Sequence, residues 1–408
     1  MEWIKTKEVR QRVFYTILII AVFQIGTFIP LPYIEHTNSS QNTLNGLLNL
    51  TTGGALSRFG LLMLGISPYI TASILVQILQ KTIPSWKRKA QQAEGRSQIG
   101  QYQRLITMLF AFAQSFGLLF NQYMATQLGV ILPSQTSEKL IVIFLLIVGS
   151  VFTSYLGERI DENGVGQGAS VLIAFGILST IPAQVFKIYK LYPMYKTMNQ
   201  LNGYWKQVGI ITGIFLVMLI LSILANKKEY KFPIQSMTNK YRVKAHFFPI
   251  KLLASSVMPV IFATAMLTLF STISTVFNYN WNWVSYTTKQ GFAVYVILIF
   301  LFSFIYNFIQ IDGEEIQEQF NQSGVYFIGH KGTEVSSFLG KQLYKVTWKG
   351  APLLTIIATI AIGIELVAPQ QFGLSLTGVS LLIVVGVIQE LIHQIKGLTS
   401  KHNYKEVF

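Results

Sequence analysis

Nine predominantly apolar stretches of 18 residues or more carry no Asp, Glu, Lys or Arg: 13–34, 59–80, 105–137, 140–157, 163–186, 207–226, 252–288, 290–311 and 366–389. A tenth, 350–364, is shorter and continues past Glu365 to Ala368. A bilayer core about 30 Å thick takes about 20 apolar residues as helix. Its backbone polar groups must be satisfied inside the segment, which a helix does and an open strand does not. The chain therefore reads as an all-α polytopic membrane protein. A transmembrane barrel is excluded, because the runs are too long and do not alternate. Charged residues make up 12% of the 408, against about 25% in a typical soluble domain.

The basic residues set the orientation. With ten spans and the N-terminus inside, 25 of the 32 Lys and Arg fall on cytoplasmic segments and 7 on the other side. By the positive-inside rule both termini are cytoplasmic. The net charge of +15 is then a topology signal and not a nucleic-acid footprint. Met1 to Arg12 is polar and basic, and the run after it is long enough to span, so no cleavable signal peptide is expected. The expected spans are 13–32, 66–80, 105–122, 140–157, 168–186, 208–225, 254–276, 291–309, 352–368 and 376–395. The external segment 183–207 carries four lysines and is the weak point of this assignment. Two cytoplasmic loops, 226–250 and 310–350, are large enough to project and offer a docking surface, though neither looks like an independent domain.

The second span is unusual. Asn49 to Arg58 is polar and Gly-rich, leads into the apolar stretch Phe59 to Gly65, and then meets Ser67-Pro68. Proline disfavours helix in the residue before it, so a break is expected near Gly65 to Ser67. Pro68-Tyr69-Ile70-Thr71-Ala72-Ser73 repeats as Pro259-Val260-Ile261-Phe262-Ala263-Thr264 five spans later, in the opposite direction. Two inverted five-helix halves, 1–207 and 208–408, give that relation, with the functional path at their interface.

No catalytic or metal chemistry is visible. Cysteine is absent, and the five histidines, His36, His246, His330, His393 and His402, show no ligand spacing. There is no HExxH helix, P-loop or GxSxG elbow. No Asp, Glu, Lys or Arg sits in the middle of any span, where ion-coupled transporters place them. Neither an enzyme, a cofactor nor a metal is expected. A secondary transporter with an inverted repeat is the rival class, and it calls for a polar midplane site.

Several blocks are distinctive in order and content. They are Gln24 to Pro32; Gly53-Gly54-Ala55-Leu56-Ser57-Arg58 followed by Leu64 to Ile74; Tyr155 to Ile160 with Gly164 to Ser170; Met258 to Ala263; and Gly378 to Val385. Together they cover nearly the whole chain, and the chain resembles the SecY family, the central subunit of the protein-translocation channel. The resemblance implies a clamshell of two halves that carries unfolded polypeptide outward across the cytoplasmic membrane. It implies a pore ring of Ile66, Ile70, Ala169, Ile173, Ile261 and Ile383, which an apolar lining would keep dewetted against ions. A plug at 53–62, carrying Gly53, Gly54, Ala55, Leu56, Ser57 and Arg58, and a lateral gate of spans 2 and 7 flanked by 3 and 8 also follow.

The implied partners are a SecA-type ATPase motor on the two loops, a SecE-like small membrane subunit, membrane lipid and a secretory preprotein. Motor docking maps to Lys231, Lys240, Arg242, Lys244, His330 and Lys331. The family's basic pair in the first loop reads here Tyr230-Lys231, and a family arginine in the second falls at His330 or Lys331. Ala254-Ser255-Ser256 departs from the family pattern as well. These departures point to the accessory SecY-type channels of Gram-positive bacteria, which work with an accessory SecA and other accessory Sec proteins on large serine-rich glycosylated adhesins. A housekeeping SecY channel is the alternative.

Overall fold

The computed structural model describes residues 7–36, 60–120, 130–197, 201–236, 246–251, 258–277, 281–284, 288–311, 313–323, 325–328, 334–367 and 378–405. Ten long helices appear among them. They are α1 (Lys7–Thr27), α2 (Ser67–Thr82), α4 (Ala93–Phe120), α5 (Thr136–Asn163), α6 (Gly168–Thr197), α7 (Leu201–Lys227), α8 (Met258–Val276), α9 (Lys289–Gln310), α11 (Glu334–Val367) and α12 (Gly378–Lys405). Two shorter helices, α3 (Pro84–Gln91) and α10 (Gly313–Ser323), lie in loops. Six of the helices contain a stretch long and apolar enough by length and composition to cross a membrane, while Gly168–Pro182 and Met258–Ser271 are shorter apolar stretches.

The molecule is apolar outside and partly polar inside, as a lipid solvent requires. Phe14, Ile17, Leu109, Phe144, Ile220 and Ile297 are exposed. Thr107, Ser115, Thr153, Ser154, Ser303 and Thr355 are buried. Each of these six hydroxyls donates to the carbonyl four residues back in its own helix, so none of the six is stranded. One core cluster joins α1, α2, α5, α6, α8, α9, α11 and α12.

Helix ends depart from expectation for local reasons. The first span was expected at 13–32, but α1 stops at Thr27 because Pro30 disfavours helix just before it. The expected external segment 183–207 is mostly helix. α6 continues through Pro182 and Pro193 to Thr197, and α7 begins at Leu201. Tyr204 ties the two together, with Tyr192 and Tyr195 each at 5.6 Å between ring centroids.

The two large loops, 226–250 and 310–350, fold together. Strands β3 (Glu229–Ser236) and β4 (His246–Lys251) pair antiparallel, and β5 (Val325–Phe327) from the second loop joins the other edge of β3. A small hairpin, β1 (Glu35–His36) with β2 (Val130–Ile131), lies elsewhere. In β3, Tyr230, Phe232 and Ile234 face a second core of Ile250, Phe327, Val335, Leu339, Leu343 and Val346. Lys231, Pro233 and Gln235 alternate outward. α11 runs from this core into the membrane core, and Leu353, beside Pro352 inside the helix, packs against both.

Candidate functional site

α2 opens where the sequence predicted a break. Residues 61–66 form consecutive turns, Gly65 adopts φ 55°, and Ile66 caps a helix with Pro68 in its first turn. Only Gly readily holds that positive φ. The described end of the expected plug is anchored. Gly60 bridges Pro30, and Leu61 N–H donates to Ile29 O at 2.7 Å. Gly53, Gly54, Ala55, Leu56, Ser57 and Arg58 lie outside the described residues.

The repeated motif occupies matching places. Pro68 and Pro259 are second, and Ile70 and Ile261 fourth, in α2 and α8. The two helices pack together; α4 covers both, and α9 flanks α8. At their seam lies a cleft whose empty space, counted out to open solvent, is about 400 Å³. α2 contributes Tyr69, Ile70, Ser73 and Gln77 to its walls. The α5–α6 corner contributes Asp161, Gln167, Ala169, Ser170 and Ile173, and α8 contributes Met258, Ile261 and Phe262. Of the six residues expected to form a ring, Ile70, Ala169, Ile173 and Ile261 line this cleft. Ile66 and Ile383 are buried in the same apolar cluster.

The corner between α5 and α6 is held rigidly. Val165 N–H donates to Thr16 Oγ1 of α1 at 2.9 Å, Gly166 N–H to Gln394 Oε1 of α12 at 2.7 Å, and Gly168 N–H to Asp161 Oδ1 at 2.7 Å. Gly166 needs its glycine, with φ at 94°. Gly168 sits so close to Gly157 that a Cβ there would lie 2.0 Å from the Gly157 carbonyl oxygen. Arg104 of α4 clamps Glu158 of α5 through two N–H donors, at 2.7 and 3.3 Å. Across the seam, Lys87 of α3 meets Glu314 of α10.

The comparisons with known proteins fit this arrangement. The SecY family profile matches residues 60–392. The protein translocase subunit SecY of Staphylococcus carnosus is 33% identical over 99% of this chain and 98% of its own length. The chain belongs to the SecY family. The Staphylococcus epidermidis subunit of that name is 32% identical, over 98% of this chain and 96% of its own. The Staphylococcus aureus one is 31% identical, over 99% and 98%. None of these three is named as an accessory form. A solved structure described as a protein conducting channel superposes with a TM-score of 0.70 at 17% identity, over 95% of this chain and 91% of that one. Sec61 from a canine ribosome–channel complex gives 0.65 at 17% identity, over the same shares. Like the rest of its family, this chain is a multi-pass membrane subunit of a protein-translocation channel and not an enzyme. The secondary-transporter alternative is thereby set aside.

Of the expected docking residues, Lys231 is exposed on β3, opposite Pro249 of β4. Lys240, Arg242, Lys244, His330 and Lys331 lie outside the described residues. Sequence reasoning missed the shared sheet and Asp161. The alternation Tyr230, Phe232, Ile234 against Lys231, Pro233, Gln235 was the available signal for the first. Nothing local marked the second, since Asp161 reaches the cleft only through the fold.

Proposed function

We propose that the seam between α2 and α8 is the lateral gate that admits an apolar signal helix. Ile66, Ile70, Ala169, Ile173, Ile261 and Ile383 form the constriction that seals the path of an unfolded chain. The observation that carries this reading is that four of the six, drawn from three elements, line one cleft at that seam. An apolar ring dewets, resists ions and makes no directional bonds to a passing chain. Residues 1–207 and 208–408 form the two halves, both termini face the cytoplasm of a Gram-positive cell, and a SecE-like subunit braces them. Segment 53–62 is the plug. Deleting it should raise ion conductance in planar bilayers while leaving the protein inserted. A properly inserted deletion with wild-type baseline conductance would reject the plug.

The sheet β3–β4–β5 is the docking face for a SecA-type ATPase, with Lys231 on its open side. Lys231→Glu should weaken ATPase binding to channel-containing membranes about 10-fold or more, because charge reversal at a close interface pair costs a few kcal/mol. Insertion should be unaffected. Wild-type affinity in a flotation or biolayer assay would place the docking site elsewhere.

The substrate system we favour is the accessory one, exporting large serine-rich glycosylated adhesins with accessory Sec proteins. The support is the altered loop chemistry at Tyr230-Lys231 and Gly329-His330-Lys331. The names of the staphylococcal relatives favour the second reading, a housekeeping channel. Reconstitution with each class of SecA motor decides: stimulation of ATP hydrolysis by the housekeeping motor alone would overturn the accessory assignment.

A further inference from the structure

One carboxylate at the seam has no counter-charge among the described residues. Three acids stand close together at the end of α5. Glu158 is held by Arg104 and Glu162 by Arg159, each at 2.7 Å. Asp161, between them, has no cation within ion-pair distance among the described residues. Its hydrogen bond comes from the Gly168 N–H at 2.7 Å. It lines the cleft beside Gln77, Gln167 and Ser73, with Ile70 and Ile261 on the same walls, and among the described residues no basic side chain lines that cleft. Partial burial raises the Asp161 carboxyl above the ordinary range, the Gly168 hydrogen bond acts against that, and Glu158 and Glu162 add to it. Asp161 is still exposed at the mouth of the cleft, so a basic side chain reaches its carboxylate without first displacing a partner, and the pair is worth about 1 kcal/mol or less, as a surface contact is.

What arrives at this seam has a known charge pattern: a signal segment carries basic residues ahead of its apolar stretch. We propose that Asp161 receives those basic side chains, holding the N-terminal end of the segment at the mouth of the cleft while its apolar part lies between α2 and α8. The apolar wall and the single carboxylate then read the two parts of one ligand. Asp161 is a specificity-determining residue for translocation, distinct from the ring. The inference rests on the gate reading given above.

The test separates charge from bracing. Asp161→Asn keeps an oxygen for the Gly168 N–H and removes the charge; Asp161→Lys reverses it. Each variant is made in the full chain, in inverted membrane vesicles with its motor. The probes are reporter preproteins whose signal segment begins with lysines, with glutamines in their place, or with glutamates. Export is read by protease protection, and channel amount by immunoblot. Ser73→Cys, in this cysteine-free chain, is cross-linked to a cysteine in the apolar part of the signal in every case.

Asp161→Asn should slow the lysine reporter roughly 5-fold, a charge-pair effect of ordinary size, and leave the glutamine reporter unchanged. Asp161→Lys should favour the glutamate reporter over the lysine one. Equal slowing of the lysine and glutamine reporters, or no change in either, with the Ser73→Cys adduct intact, would overturn the charge reading and leave the gate standing. Absence of the adduct in the Ser73→Cys channel with native Asp161 would overturn the gate reading as well.

Discussion

Ile70→Asn and Ile261→Asn should give channels that accumulate to wild-type amounts, leak ions and admit substrates with weak signal sequences. Both side chains are almost wholly covered, at 3% and 2% exposure, and belong to one core cluster. Burial alone fits two roles, a permanent core or a seal that parts during transport. The roles differ in what a polar group meets. In a permanent core, Asn is stranded without partners and costs roughly 1–3 kcal/mol, so protein is lost. In a seal beside an open cleft, Asn finds water whenever the path widens, and the dewetted barrier to ions falls. Ile70→Cys with Ile261→Cys tests the geometry directly, since no native cysteine competes. The pair should cross-link to each other, and each should cross-link to a stalled translocating chain. Two Asn variants with normal conductance, together with a Cys pair that reaches neither partner, would reject the constriction.

Gly168→Val should abolish accumulation of the folded channel, and Gly168→Ala should already lower its melting temperature. A Cβ at Gly168 meets the Gly157 carbonyl oxygen at 2.0 Å and its carbon at 2.6 Å. These are backbone atoms and cannot swing aside as a side-chain tip does, so α5 and α6 must separate. Overpacking of cores costs typically 1–3 kcal/mol, and moving two helices places this substitution at or above the upper end. Separation also strains the N–H bonds from Val165, Gly166 and Gly168 to three different helices. Gly213→Ala in α7 is the control. Nothing lies within 4 Å of its new Cβ, so the change should be neutral or stabilise by about 0.5–1 kcal/mol through helix propensity. Thermal unfolding in detergent and membrane yield read both. A Gly168→Ala channel that melts with wild type would show that the two helices have room.

The contrast between these sites shows what was legible before any coordinates. Apolar blocks revealed the helices, because the bilayer imposes one length scale on every span. The proline before Tyr69 marked the start of α2, because proline acts on its immediate neighbour. The plug anchor, the glycine contact and Asp161 were not legible. Each depends on which distant segment the fold brings near: Pro30 to Gly60, Gly157 to Gly168, or α2 and α8 to the α5–α6 corner. Helix ends were missed where a helix continues past the bilayer, as α6 does to Thr197 and α11 does from Glu334. There the apolar signal stops but the hydrogen-bond ladder does not. The shared sheet was missed because its two outer strands, β4 and β5, come from segments more than 70 residues apart, and alternation in one strand does not name its partner.

α11 spans 34 residues, a rod roughly 50 Å long at 1.5 Å per residue. Its first turns are embedded in the aromatic core under the sheet and its later turns in the core of the membrane part. Proline inside a helix lacks one N–H and crowds the carbonyl four residues back, and such positions are where helices bend. Pro352 therefore puts the weakest point of the helix's hydrogen-bond ladder where the two cores meet, beside Leu353. With a motor docked on the sheet as proposed, a tilt outside would reach the membrane core through that position as through a crank, becoming a sideways stroke inside.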